Sequence, residues 1–228
     1  MPLSGRGRFV EKMTKRKVKI CGLKAVKTID AAVLAGADYI GFVFYMKSPR
    51  ALTPELAADL ARRIPTGTKI VGLFVNPDNE LLEHVTSQVP LDMIQLHGDE
   101  DPVRVLEIKS LCHLPVIKAI PVAEPKDIMA SLDYRDIADI ILFDAKPPQN
   151  VVTMLPGGNG IAFDWDILHD IDIPMPWMLS GGLNPYNVTE AIEATDAPMV
   201  DVSSGVEVGP GLKDPSLIKE FISEVNRT

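Results

Sequence analysis

The chain alternates eight times between a short apolar run and a longer amphipathic stretch. The apolar runs are continuous, as in parallel strands that are buried on both faces. The stretches between them carry apolar residues three and four positions apart, for example Leu217, Phe221 and Val225, which predicts helices. The predicted strands are Val18–Cys21, Tyr39–Phe44, Ile70–Val75, Met93–Leu96, Pro115–Ile120, Ile140–Phe143, Trp177–Leu179 and Met199–Val202.

Polar residues mark where several predicted helices begin. Thr53, Asp101 and Asp214 each precede a proline, and a side-chain oxygen followed by proline is favoured at a helix N-terminus. The pair Asn184-Pro185 predicts another helix start by the same reasoning. The predicted helices are Lys27–Ala35, Pro54–Arg63, Asp78–Ser87, Asp101–Leu111, Pro125–Leu132, Trp165–His169, Pro185–Ala194 and Pro215–Val225.

Eight strand–helix units in 228 residues predict an α/β fold, a single (β/α)8 TIM barrel. A doubly wound open sheet is the alternative. The expected domain covers residues 18–228, and residues 1–17 are expected to form a basic, flexible tail. The longest irregular stretch, Pro147–Gly160, is rich in Pro, Gly and Asn, as functional loops often are.

Charge and composition exclude some classes of binding partner. The net charge of −8 gives no general attraction to nucleic acid or to an acidic membrane. No apolar run approaches the roughly 20 residues of a membrane span. Two cysteines, Cys21 and Cys112, fit no disulfide framework and favour a reducing, cytoplasmic location. Monomer and homodimer both remain open.

Two loops are typical of a phosphate site. Gly181 and Gly182 follow the seventh predicted strand, and Ser203, Ser204 and Gly205 follow the eighth. Barrels commonly bind phosphate between these loops, because glycines let backbone N–H groups approach an oxyanion and hydroxyls add donors. A phosphorylated small molecule is therefore the expected ligand.

An acid and a base are predicted at the strand ends that form the active face of such a barrel. Cys21 ends the first strand and Asp144 follows the sixth apolar run. Because an ordinary thiol has a pKa of about 8.5, Cys21 needs little help to act as base or nucleophile. A buried structural thiol and a turn-capping aspartate are the alternatives.

The remaining candidates are a histidine and an arginine. His97 is the only histidine expected on the active face; it is a candidate for substrate binding but too far along the strand order to pair with Cys21. Arg50 can grip a planar carboxylate, or it is an ordinary surface residue. With one His and one Cys on this face, neither a metal nor a cofactor is expected.

Taken together, these motifs resemble the phosphoribosylanthranilate isomerase family of tryptophan biosynthesis. The resemblance runs in order from Val18 to the C-terminus. Its segments are Lys19–Gly22, Gly41–Phe44, Lys47–Arg50, Val71–Asn76, Gln95–Gly98, Leu142–Lys146, Gly157–Gly160, Phe163–Trp165, Leu179–Leu183 and Asp201–Glu207.

The resemblance implies an Amadori rearrangement of N-(5-phosphoribosyl)anthranilate without metal or cofactor. It implies that Asp144 is the general acid that protonates the sugar ring oxygen. It implies that Cys21 is the general base that removes a proton from the neighbouring sugar carbon. Arg50 would contact the anthranilate group, and the last two loops would hold the phosphate.

Some positions depart from the family pattern, and other functions compete. The departures are Lys24, Pro121 after the fifth strand, and Asn159. A ribulose-phosphate epimerase would need metal-binding His and Asp, and indoleglycerol-phosphate synthase a Lys–Glu set. The related aminoimidazole-carboxamide ribotide isomerase prefers two aspartates. A non-catalytic phosphate-binding barrel is the alternative from another class.

Overall fold

A computed structural model describes residues 15–146, 157–158, 160, 162–168 and 173–228. Eight parallel strands form a closed barrel in chain order. The predicted TIM barrel is confirmed, and the open sheet is excluded. The barrel strands are β1 (Lys17–Cys21), β2 (Tyr39–Val43), β3 (Lys69–Phe74), β4 (Met93–Leu96), β5 (Val116–Val122), β6 (Ile140–Ala145), β7 (Trp177–Leu179) and β8 (Met199–Val202).

Helices connect most of these strands. Three single turns of 3₁₀-helix, Ala130–Tyr134, Trp165–Leu168 and Ser204–Val206, stand among them. The α-helices are α1 (Val26–Ala35), α2 (Pro54–Ala61), α3 (Asn79–Gln88), α4 (Pro102–Cys112), α5 (Pro125–Met129), α6 (Val188–Thr195) and α7 (Pro215–Val225). No helix in the described part of the chain is both long and apolar enough to cross a membrane.

Capping side chains explain most helix starts, but the predicted start of one helix is wrong. Thr53, Asp101 and Asp214 accept hydrogen bonds from backbone N–H groups of the first turn, as predicted. The helix predicted from Pro185 instead begins at Val188. The reason is local, because the Asn184 side chain accepts from the N–H of Tyr186 and forms a turn ahead of the helix.

A short hairpin after β8 was not predicted. Its strands are β9 (Glu207–Gly209) and β10 (Leu212–Lys213), which pair antiparallel. Their few residues carry no apolar alternation, so the pattern that predicts strands is absent. The hairpin places two charged side chains, Glu207 and Lys213, over the carboxyl end of the barrel.

The packing has two main apolar layers. Alternate residues of the strands point inward and fill the lower barrel, among them Val71, Ile117, Leu142 and Met178. The other strand faces pack against the surrounding helices in a larger cluster that includes Phe42, Phe143 and Phe221. Because both strand faces are buried, the strands appear in the sequence as unbroken apolar runs.

The N-terminal boundary differs slightly from the prediction. β1 begins at Lys17, which pairs with Met199, so the barrel starts one residue before Val18. Arg16 forms an ion pair with Asp196 across 2.8 Å. The rest of the predicted tail, residues 1–14, lies outside the described residues, as does most of the irregular stretch Pro147–Gly160.

Candidate active site

A cavity opens at the carboxyl end of the barrel strands. It encloses about 760 Å³ of empty space, part of it open to solvent. Its walls bring together eight of the nine residues predicted from the sequence. They are Cys21, Arg50, His97, Asp144, Gly181, Gly182, Ser203 and Ser204.

Cys21 lies at the end of β1, with 4% of its surface exposed. It pairs in register with Gly41 of β2. A Cβ atom on Gly41 would come within 2.9 Å of Cys21 Sγ. The missing side chain of Gly41 therefore provides the space that the thiol occupies.

Burial and charge act on this thiol in opposite directions. Burial raises the pKa of Cys21; the ammonium groups of Lys19 and Lys213 lower it, and the carboxylate of Asp201 adds to the rise. The net effect is a pKa above that of an ordinary thiol. The expectation that Cys21 needs little help to ionise is therefore wrong, because it took no account of desolvation.

Asp144 lies at the end of β6 and is held at both oxygens. Oδ1 accepts a hydrogen bond from the N–H of Ala145 at 2.9 Å, and Oδ2 lies 3.1 Å from Nε2 of His97. The Gln95 amide nitrogen lies 2.9 Å from Nδ1 of His97. A neutral imidazole can donate from one ring nitrogen and accept at the other, so His97 bridges Gln95 and Asp144. The sequence did not indicate this partnership of His97 with Asp144.

Arg50 is buried and already grips a carboxylate of the protein. Its Nε and Nη2 donate to the two oxygens of Glu207 at 2.7 and 2.9 Å, and Nη2 also donates to the carbonyl of Gly158 at 3.1 Å. This fork-to-fork pair fixes the guanidinium plane. Arg50 is therefore not an ordinary surface residue, and no acceptor among the described residues bonds its Nη1, which leaves this nitrogen for a ligand.

Glu207 is shared with a second buried cation. Lys213 Nζ lies 2.8 Å from Oε1 of Glu207 and donates to the carbonyl and hydroxyl oxygens of Ser203. Burial alone would raise the pKa of Glu207, but hydrogen bonds and charge from Arg50 and Lys213 lower it to about 2. Burial also lowers the pKa of Lys213 to about 8, against the pull of Glu207.

The two glycine-containing loops pack tightly against each other and against β6. Gly181 and Gly182 have φ angles of +88° and +64°, which favour glycine. A Cβ on Gly205, the one predicted residue that does not line the cavity, would lie 1.8 Å from the carbonyl oxygen of Leu183. Among described residues, no acceptor bonds the backbone N–H of Gly181, Gly182 or Ser204, so these donors stay available for an oxyanion.

Residues 18–224 match the family model described as N-(5'phosphoribosyl)anthranilate (PRA) isomerase. The chain belongs to this family. The resemblance drawn from the motifs is therefore confirmed. The N-(5'-phosphoribosyl)anthranilate isomerase of Paracoccus denitrificans is 57% identical over 206 residues, which are 90% of this chain and 95% of that protein.

Solved structures of this isomerase family share the barrel. The phosphoribosyl anthranilate isomerase of Thermotoga maritima superposes with a TM-score of 0.83 at 38% identity, covering 93% of this chain and 100% of that one. A second crystal structure is a complex with reduced 1-(o-carboxyphenylamino)-1-deoxyribulose 5-phosphate. It gives a TM-score of 0.78 at 36% identity, with the same coverage.

The three departures from the phosphoribosylanthranilate isomerase pattern have different outcomes. Lys24 donates to the carbonyl of Pro49 at 2.8 Å and so fastens the loop that carries Arg50. Pro121 does not follow the fifth strand as expected but lies within β5, which continues to Val122. Asn159 lies outside the described residues.

Several residues of this family member's site escaped the sequence analysis. Lys19 and Asp201 form a buried ion pair of 2.9 Å beneath Cys21. A charged residue inside an otherwise apolar strand was the available signal for each. Glu207 and Lys213 had no such signal, because they lie in the unpredicted hairpin. The described residues hold no cluster of three or more potential metal ligands; that no metal or cofactor takes part stays a prediction.

Proposed function

We propose that this protein catalyses the Amadori rearrangement of N-(5-phosphoribosyl)anthranilate to 1-(2-carboxyphenylamino)-1-deoxyribulose 5-phosphate in tryptophan biosynthesis. The observation that carries the proposal is a cavity in a member of this family with a thiol and a carboxyl on different walls. Cys21 stands on β1 and Asp144 on β6, with β7 and β8 between them.

Asp144 is the proposed general acid. It gives a proton to the ring oxygen of the sugar, the ring C–O bond breaks, and the nitrogen lone pair forms the Schiff base at C1. His97 and the Ala145 N–H hold the two carboxyl oxygens, which fixes the direction of the transfer. A proton transfer from a positioned side chain is worth about 10²–10⁴-fold in rate.

Cys21 is the proposed general base. The positive charge of the Schiff base acidifies the hydrogen on C2, and the thiolate takes this proton. The C2–H electrons form the double bond of an enolamine, which tautomerises to the ketone. Atoms and electrons balance within one molecule, so the reaction consumes no redox cofactor.

The two ends of the substrate have separate anchors in this proposal. The loops with Gly181, Gly182, Ser203, Ser204 and Gly205 take the phosphate through backbone N–H groups and hydroxyls. Arg50 contacts the anthranilate carboxylate through Nη1. The phosphate-bearing compound in a related crystal structure supports a phosphorylated ligand. His97 meets the substrate beside Asp144.

The proposal extends to the context of the enzyme. Residues 17–228 form the catalytic domain, and we assign no role to the basic residues before them. The location is cytoplasmic, with no nucleic acid or membrane as partner. The isomerase of Thermotoga maritima is described as dimeric, and light scattering will decide between monomer and homodimer here.

The test is the loss of anthranilate fluorescence from substrate generated in situ. Wild type is compared with Cys21→Ala and Asp144→Asn, and Cys112→Ala serves as the matched cysteine control. We expect a fall in kcat of roughly 10²–10⁴-fold in the first two variants and none in the control. Circular dichroism confirms that each variant is folded.

Three outcomes would contradict parts of the proposal. Near-normal turnover in Cys21→Ala would move the base to another residue, and near-normal turnover in Asp144→Asn would move the acid. No turnover in wild type, with phosphate esters still bound, would leave a non-catalytic phosphate-binding barrel.

A further inference from the structure

A buried ion pair lies directly beneath the proposed base and has no part in the reaction described above. Lys19 and Asp201 pair in register between β1 and β8, with Nζ and Oδ1 2.9 Å apart and side chains only 0% and 5% exposed. Ser180 donates to the other oxygen of Asp201 at 3.2 Å. Such a pair is costly to bury and is weak evidence for stability by itself.

The geometry joins this pair to Cys21. Lys19 precedes Cys21 by two residues on one strand, so both side chains point into the barrel. Asp201, the partner of Lys19, lines the same cavity as Cys21, and the charge of the buried ammonium acts on the thiol as well as on Asp201. Because an ammonium has three donors and Asp201 takes one of them, the others remain for a second acceptor.

We propose that Lys19 is a positioning residue that stabilises the thiolate of Cys21, and that Asp201 holds its ammonium in place while restraining its effect. This inference deepens the proposed function, since it takes Cys21 as the base. The charged groups that act on Cys21 are Lys19 from its own strand, Asp201 from β8 and Lys213 from β10.

The two members of the pair have opposite effects on the thiol. Lys19 lowers the pKa of Cys21 and Asp201 raises it, both against the background of burial, which raises it most. For Lys19, burial alone would lower the pKa, but attraction to Asp201 and Cys21 raises it. The ammonium is therefore present at neutral pH, when the thiolate must form.

Opposite signs separate this role from a structural one. Lys19→Met removes the cation, so the thiolate becomes less stable and less abundant at neutral pH. Asp201→Asn leaves the cation with the thiolate as its strongest partner, so the thiolate becomes more abundant. If the pair only supported the fold, both substitutions would change the amount of thiolate in the same direction.

The experiment measures thiolate directly, without substrate. In a Cys112→Ala background Cys21 is the only cysteine, and its alkylation by iodoacetamide is followed across pH. We expect Lys19→Met to slow alkylation at neutral pH by about tenfold, the equivalent of one pKa unit. We expect Asp201→Asn to accelerate alkylation several-fold. The lower limb of the kcat/KM pH profile should move to higher pH in Lys19→Met and to lower pH in Asp201→Asn.

A third variant covers the risk of misfolding. Lys19→Met leaves the Asp201 carboxylate buried without an opposite charge, which is strongly destabilising. The double variant Lys19→Met/Asp201→Asn has no unpaired buried charge, and it should alkylate more slowly than the parent. Lys19→Arg keeps a cation and should restore alkylation above the level of Lys19→Met.

The proposal is overturned if Lys19→Met or the double variant alkylates as fast as the parent, or if Asp201→Asn slows alkylation. The outcome is separable from that of the proposed function. Turnover in Cys21→Ala decides whether Cys21 is the base, whereas alkylation reports the thiol whether or not the protein is an isomerase.

Discussion

Nε2 of His97 lies 3.1 Å from Oδ2 of Asp144, although 47 residues separate them in the chain. Gln95 on β4, two residues before His97, contacts the imidazole from the other side. The carboxyl is therefore oriented by side chains from another part of the barrel as well as by the backbone N–H of Ala145 at the end of its own strand.

We expect His97→Asn to lower kcat by roughly tenfold to hundredfold, because a small misplacement of a reacting group costs that much. Gln95→Leu should have a smaller effect in the same direction, because the imidazole keeps Asp144 but loses its own support. The fluorescence assay gives kcat and KM. His84, an exposed histidine on α3, provides the control variant His84→Asn, and an equal loss there would refute the role of His97.

Glu207 joins Arg50 and Lys213, so its removal should affect stability in a pH-dependent way. The pKa of Glu207 is lowered from 4.5 to about 2. Its contribution is therefore complete above pH 4.5 and is lost as the pH falls towards about 2. We expect Glu207→Gln to cost about 3–5 kcal/mol near neutral pH, as when a buried ion pair loses one partner, and less as the pH falls through this window.

Urea unfolding at a series of pH values measures this difference. The exposed Glu193 on α6 provides the control Glu193→Gln, which should match wild type throughout. A difference between wild type and Glu207→Gln that stays constant from pH 4.5 to lower pH would contradict the ion-pair explanation.

Gly157 packs against Asp144 and His97. A Cβ there would lie 2.4 Å from Nε2 of His97 and 2.6 Å from Oδ2 of Asp144. We expect Gly157→Ala to lower kcat at least tenfold, because the methyl group displaces one partner or the other. In Gly67→Ala the added Cβ would meet nothing within 4 Å, so this control should keep full activity. Equal kcat values in the two variants would contradict the expected displacement of His97 or Asp144.

Gly205 controls the contact between the two proposed phosphate loops. Its Cβ would lie 1.8 Å from the carbonyl oxygen of Leu183, and backbone must move to relieve this overlap. We expect Gly205→Ala to raise KM, to weaken inhibition by inorganic phosphate and to lower the melting temperature. In Gly209→Ala the nearest atom would be Leu212 Cδ1 at 3.7 Å, an ordinary contact, so this variant should behave as wild type. Unchanged phosphate inhibition in Gly205→Ala would contradict the proposed anchor.

Local pattern was a good guide where burial is simple. β4, β7, β8 and α7 have the predicted bounds, because a strand buried on both faces is an apolar run and α7 has both a capping Asp214 and an apolar stripe. The predicted start of α6 was wrong because the Asn184 side chain can form a turn as well as cap a helix.

The site could be predicted only in part, because its side-chain contacts join residues that are far apart in the sequence. The sequence indicates that Arg50 and Asp144 stand at strand ends, but their partners lie 157 and 47 residues away. A strand order predicts which loops meet, yet it does not give the register that joins particular side chains. The effect of burial on Cys21 likewise depends on three-dimensional surroundings that composition does not contain.

The contact between β1 and β8 has a consequence for the synthesis and folding of the enzyme. Cys21 is made early in synthesis, but its charged neighbours Asp201 and Lys213 are made about 180 residues later. On a ribosome that works from the N-terminus at roughly 5–20 residues per second, the thiol waits at least about ten seconds for its surroundings. A nascent or truncated chain that ends before β8 carries Cys21 without Asp201 and Lys213, so the charged surroundings of the thiol are complete only when the barrel closes.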